Sequence, residues 1–506
     1  MILSATKKAD GNRATLDDLF RRAGVRHADA LALADPPNCE NLTGRPPRRL
    51  TYAEADRAIS ALAAKLRSFG LQTDAVVAIQ LANSVDSIIA LLGVLRAGMI
   101  AAPVPLLWCM QDIVPALSPI GAKAIITSAR IGARAQADIA MQVAAELFPI
   151  RYVCGFGQNL PDGVVSLDEN NVPVPAEFLQ PSGRPGDAAA HVAVVTFDVT
   201  IDGLVPVARS HRELIAGGLA VLLEGGLARD AAILSAIPIG SFAGLALTVA
   251  PWLLAGGTLA LHHGFDPIAF AEQTAAHKPA AVVLPGPALT PLADAGLLDG
   301  TIKTILGLWR APGQLAADAP WHHGAALVDI ASFGEIGLLP ARRGPDGQPA
   351  AIAHGAVAVP RGAADAVTVA ETVRSKSGTL AMRGSMVPTQ PFPPGGEQGK
   401  EDRDAAAGYF DTGFSCRIAR ANRTLVITAP PAGITTSGFY RFRQSAVDDV
   451  VAATDAEAVI VALPDALLGQ RLAGSGREAA ATAAALEARG VNALVAGAFR
   501  PRGIAA

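Results

Sequence analysis

The chain has 506 residues, room for about three domain-sized units. Hydrophobic residues make up 51% and charged residues 17%, with a net charge of −3, which excludes a disordered chain and a surface built to hold nucleic acid or an anionic membrane. Four cysteines, Cys39, Cys109, Cys154 and Cys416, stand in no C-x-x-C spacing, so a zinc site and a disulfide scaffold are not expected and a cytoplasmic location is.

Residues 1–48 read as a lead-in carrying one amphipathic helix near Leu16–Ala23. The N-terminus is charged by Lys7, too early for a signal-peptide core. Thr51 and Glu54 form a capping-box pattern that starts a helix with apolar residues at Ala58, Leu62, Leu66 and Phe69. Strand Val76–Leu81, helix Ser87–Ala97 closed by Gly98, and strand Ile100–Val104 follow. Strand Ala124–Thr127, helix Arg130–Phe148 and strand Arg151–Cys154 repeat the alternation, which predicts a parallel sheet with helices on its faces. Residues 155–190 read as a long connection. A second α/β series has strand His191–Phe197, helix Arg212–Leu223 and strands Ala280–Leu284 and Ala326–Ile330.

Ala231–Leu261 has no charged side chain and is long enough for a bilayer at about 20 residues. Pro238, Gly240, Gly244, Pro251, Gly256 and Gly257 interrupt it, so it reads as buried core and no integral membrane segment is expected. Residues 340–400 suggest short antiparallel strands, with Gly384–Lys400 as a loop. From about Gly413 the chain reads as a small α+β unit with strand Ala458–Leu463 and helix Glu478–Arg489.

The order of these segments resembles the adenylate-forming (AMP-binding) superfamily of acyl-CoA synthetases and peptide-synthetase adenylation domains. LTYAEADRAISALAAKLRSFGL is similar to that family's L-T-Y-x-E-L segment, and the stretch from Val76 to Pro105 to its strand–Asn–helix–Ala-Gly–strand–Pro segment. Ser210-His211-Arg212, APWLLAGGTLAL, GTLAMRGSMV at 378–387, GYFDTG at 408–413 and VIVALPDALLGQ at 459–470 resemble further family motifs in order. The resemblance spans roughly residues 50–470. It implies an α/β, acyl-CoA synthetase-like fold. A large N-terminal domain (1–412) would hold mostly parallel α/β subdomains and a β-rich part at about 340–412. A small α+β C-terminal domain (413–506) would complete it. It also implies a ligase that joins a small carboxylic acid to ATP with Mg²⁺ as an acyl-adenylate, then forms a thioester with CoA as a candidate acceptor.

Adenylation brings two anions together, so cations and backbone N–H groups must offset their charge. The resemblance assigns nucleotide positions, and this sequence departs from the family pattern at most of them. The family's T-S-G-T-T-G-x-P-K-G loop corresponds to Thr196–Val207, including Thr196, Thr200 and Gly203, with one glycine. No lysine lies between Lys123 and Lys278, and Asp198 and Asp202 would face the phosphates, so the segment reads as a surface loop. Y-G-x-T-E corresponds to Ala331–Glu335, with Ser332 for the glycine, Gly334 for the threonine, and Glu335 retained as the catalytic and metal candidate. T-G-D reads Thr412-Gly413-Phe414, which removes the ribose carboxylate. The motif G-R-x-x-K-D is missing, and Arg441 and Arg443 read as solvated or structural. No lysine follows Lys400, and the tail Arg500–Gly503 has arginines instead. In the substrate pocket, P-L-x-H-x-x-G reads Pro238–Gly244 with Ser241 for the histidine. The family's G-G-A-P reads Trp309–Pro312, placing Arg310 and Ala311 there; Arg310 either meets a carboxylate or lies on the surface. His262-His263 and His322-His323 read as loop histidines. Two functions stay open: an ATP-dependent ligase, or a pseudoenzyme that binds an acyl or CoA ligand or regulates a partner.

Overall fold

The computed structural model describes residues 14–168, 186–298, 300–315, 319–362, 365–394, 408–420, 422–438 and 440–500. Parts of four segments read above lie outside them: 1–13 of the lead-in with Lys7, 169–185 of the long connection, 395–400 of the Pro/Gly loop, and 501–503 of the tail.

Two mostly parallel sheets form the body. The first is ordered Val164–Ser166, Tyr152–Phe156, Ala124–Ser128, Val76–Ile79, Ile100–Pro103, Val192–Thr200, Gly203–Ser210, parallel throughout except for the last pair. Its central strands are uninterrupted apolar runs because helices cover both faces. The second sheet is ordered Gly337–Arg342, Ala326–Phe333, Thr304–Trp309, Ala281–Pro285, Ile233–Ser235, Leu259–Leu261, Leu31–Ala34, Arg49–Thr51, antiparallel only at its two edges.

The predicted capping box is present. The Thr51 hydroxyl accepts the Glu54 N–H and the Glu54 carboxylate accepts the Thr51 N–H, starting helix Tyr52–Ser68. Gly98 takes φ +78° just past helix Val85–Arg96, a left-handed conformation that suits glycine. Two expectations change. The lead-in is part of the body, since Leu31–Ala34 pairs with Leu259–Leu261. The helix expected from Arg130 begins at Gln136, because Ile131 and Arg134 bridge across a turn in which Gly132 has φ +59°.

The charge-free stretch is a buried strand, a continuous helical run from Phe242 to Ala255 with a π-helical middle, and a second strand. Among the described residues no helix is long and apolar enough to cross a membrane.

The third sheet is antiparallel: Gly355–Pro360, Ala366–Arg374, Thr379–Arg383, Phe410–Ile418, Leu425–Ala429. The expected boundary after 412 falls inside its fourth strand. A separate C-terminal cluster that includes Phe442, Val447, Val451, Ile460, Leu472, Leu486 and Phe499 packs two hairpins and three helices.

Candidate functional site

The site lies where the parallel strands of the two large sheets end, the usual place for ligands in α/β folds. Val192–Thr200 and Gly203–Ser210 form a tight hairpin there, with Asp198 opposite Val205 and Thr200 opposite Gly203. β-Branched and aromatic residues on both strands favour pairing over an open loop. The surface-loop reading is corrected: Thr196 is buried in the ladder, and the Thr200 hydroxyl donates to the Gly203 carbonyl at 3.0 Å to close the turn.

Glu335 occupies the turn between Ala326–Phe333 and Gly337–Arg342. It is buried, and its Oε2 accepts the Phe242 N–H at 2.7 Å at the start of the helical run. Burial raises its pKa above the ordinary 4.5, opposed by the charges of Arg310 and Arg209. Ser241 caps that helical run, accepting the Gly244 N–H at 3.1 Å, and Arg310 donates to its hydroxyl. Arg310 follows the buried strand Thr304–Trp309, and its Nε has no partner. Arg209 is fully enclosed. Its guanidinium lies 3.7 Å from the Phe242 ring centroid and donates to the Glu335 and Ile336 carbonyls. Burial pushes its pKa down to about 10, against the attraction of Glu335.

Ser241, Arg310 and Glu335 meet at the polar end of a narrow cavity of about 50 Å³. Leu81, Val104, Leu106, Trp108 and Ile239 supply its apolar wall. Tyr440 and Arg441, from the C-terminal hairpin, complete it. The Tyr440 hydroxyl accepts the Leu107 N–H at 3.1 Å and is pushed up to about 12 by burial.

Arg441 pairs with Asp198, the two side chains being 7% and 14% exposed. The pair sits against Gly334, which has φ +58°; a Cβ there would lie 2.6 Å from Arg441 Nη1 and 2.8 Å from Asp198 Oδ2. Phe414 meets Phe333 edge-on at 5.4 Å, and the Arg441 guanidinium lies 5.8 Å from the Phe414 ring centroid.

Comparison with known proteins agrees with this architecture. Residues 20–198 match the family model described as AMP-binding enzyme. Amide bond synthetase McbA from Marinactinospora thermotolerans has a TM-score of 0.69 at 18% identity, with 94% of each chain covered. o-Succinylbenzoate CoA synthetase (MenE) from Bacillus subtilis has a TM-score of 0.62 at 14% identity, covering 90% of this chain and 87% of that one.

The chain has the fold of these adenylate-forming enzymes, and its residues 20–198 are similar to the AMP-binding family. In sequence, the chain is 27% identical over 308 residues, 60% of its length, to a probable non-canonical nonribosomal peptide synthetase, CymA, from Salinispora arenicola. It is 32% identical over 90 residues to the beauvericin nonribosomal cyclodepsipeptide synthetase of Gibberella fujikuroi. The matches cover only 4% and 3% of those two relatives' own lengths.

ATP with Mg²⁺, which the superfamily implies, does not fit the residues present. The segment that should cradle phosphate is a paired hairpin. Asp198 and Arg441 fill the space beside Gly334, and the aromatic Phe414 stands where a ribose carboxylate is expected.

Of the residues singled out in the sequence, the fold brings Ser241, Arg310 and Glu335 together. Ala311 lines an adjoining cleft with Arg310, Leu467 and Leu468. Thr196, Thr200 and Gly203 belong to the hairpin. The Ser332 hydroxyl donates to the Gly334 carbonyl at 3.4 Å, and the Thr412 hydroxyl to the Leu380 carbonyl at 2.7 Å. Asp198, expected to face phosphates, turns to Arg441, which is buried and not solvated. His262 lies in the loop after strand Leu259–Leu261, as read, and is fully buried against Gln273. Sequence reasoning missed Arg209, Trp108 and Tyr440. The signal for Arg209 was a lone charge in an otherwise apolar strand; Tyr440 gave none.

Proposed function

We propose that this chain, which has the fold of adenylate-forming enzymes, binds a small carboxylic acid, or its thioester, in the Arg310–Glu335 cavity and carries out no ATP chemistry. The observation that supports this reading is an apolar-walled cavity whose polar end is lined by the Arg310 guanidinium, a hydrogen-bond donor. A carboxylate can take that donor, while the ligand's apolar body displaces water from Leu81, Leu106 and Trp108. Glu335, its carboxyl favoured in the neutral form by burial, then tolerates a second carboxyl nearby. The cavity is about a third of the size known to admit benzene, so a ligand must be slim or the wall must yield.

Two measurements test it together: pyrophosphate exchange into ATP with a panel of carboxylic acids, and calorimetry with the same acids and with acyl-CoA. The expected result is saturable binding with no exchange above a no-acid control. Exchange above that control replaces this reading with the second one, a working acid–thiol ligase using ATP, Mg²⁺ and CoA. That second reading is favoured by Glu335 standing at a strand end with three guanidinium groups, Arg209, Arg310 and Arg441, around or beside it. We also propose two bodies, one ending with the third sheet at Ala429 and one built on the Phe442–Phe499 cluster. A cytoplasmic location fits the four free, buried cysteines.

A further inference from the structure

We infer that the Asp198–Arg441 pair is a latch between the body and the C-terminal unit, built in the space where nucleotide contacts would otherwise converge. This inference is independent of acid binding. Asp198, Gly334 and Phe414 depart from the superfamily pattern at three places far apart in the chain, and all three meet at Arg441. Taken singly, each change only removes a nucleotide contact. Taken together they form one packing solution. Gly334 lacks the Cβ that would strike both partners of the pair. Phe414 packs on Phe333 and lies beneath the guanidinium. Asp198 gives Arg441 its counter-charge and also accepts the Val199 N–H at 2.9 Å.

Arg441 belongs to the C-terminal hairpin Ile434–Ser437/Tyr440–Arg443, while Asp198, Gly334 and Phe414 belong to the body. The pair therefore ties two separately packed cores. Two more contacts hold the same posture: Leu107 N–H to the Tyr440 hydroxyl, and the turn at Gly469 set closely against Gln314 and Pro287. A buried pair with one partner removed leaves an uncompensated charge, so each half depends on the other. Because Tyr440 and Arg441 also line the cavity, the latch keeps the C-terminal unit as a fixed wall of it.

The test is amide hydrogen exchange of the full chain, read over Ile434–Arg443, for wild type, Asp198→Asn, Arg441→Gln and the double variant. Strand Val76–Ile79, remote from the pair, reports in the same runs whether the body is intact. Each single variant is expected to speed exchange over Ile434–Arg443 by about tenfold or more, and the double variant by no more than the larger single. Saturating ATP is expected to leave wild-type exchange there unchanged. The inference is overturned if neither single variant changes exchange, if the two effects multiply in the double variant, or if ATP alone alters protection of the hairpin. Asp198→Asn preserves shape and carries the test by itself should Arg441→Gln lose the protected Val76–Ile79 signal.

Discussion

Glu335 and Arg310 set the chemistry of the cavity, and their residue types fix what it can hold. Burial favours the neutral form of Glu335, and a bound carboxylate adds to that preference. As pH rises through the raised pKa of Glu335, its charge appears beside the ligand and repels it. Affinity for an ionised carboxylate should therefore fall as pH rises through that raised pKa in wild type. Glu335→Gln should flatten that dependence; calorimetric titrations across pH check it. Gly334 carries a different constraint. Gly334→Ala forces a side chain into a left-handed conformation and into Asp198 and Arg441. A loss of about 1–3 kcal/mol is expected from urea unfolding. Arg310 was legible as a site residue because it interrupts a short motif. Arg441 was not, because its partner lies 243 positions away and only the fold brings them together.

At the scale of elements, periodicity located the parallel strands and their helices, since a strand covered on both faces must be apolar throughout. It did not foresee the hairpin at 192–210. A shared motif position suggested a loop, and the strand-forming preference of Val194, Val195, Val205 and Val207 prevailed over it. The short strand Leu31–Ala34 was hidden in the lead-in because four residues carry too little pattern to distinguish from coil. Ser210-His211-Arg212 gives a further case. It is one of the motifs that carry the resemblance, and here Ser210 caps helix His211–Gly225 with Glu213, and His211 Nδ1 accepts the Leu16 N–H at 3.2 Å. Ser210→Ala should therefore lower stability by about 1 kcal/mol, seen as a lower urea midpoint, with acid affinity unchanged.

At the scale of the molecule, a ligand that binds only the folded chain must stabilise it, and this separates carboxylic acid from nucleotide without any assay of turnover. The cavity is formed by strand ends of both large sheets and by the C-terminal hairpin, so it ceases to exist when any of these leaves. An acid held at about 100 times its dissociation constant should add about 2.7 kcal/mol to the unfolding free energy. On the proposed reading, ATP with Mg²⁺ at millimolar concentration should add nothing, since Asp198 and Arg441 pair beside Gly334 and Phe414 packs near the guanidinium. Thermal unfolding followed with each ligand, for wild type and for Arg310→Met, checks this. The acid shift should vanish in the Arg310 variant, and the absence of an ATP shift should persist. A shift with ATP in the wild-type chain would show that the Asp198–Arg441 pair yields to phosphate, and the ligase reading would then account better for Glu335 and its surrounding arginines.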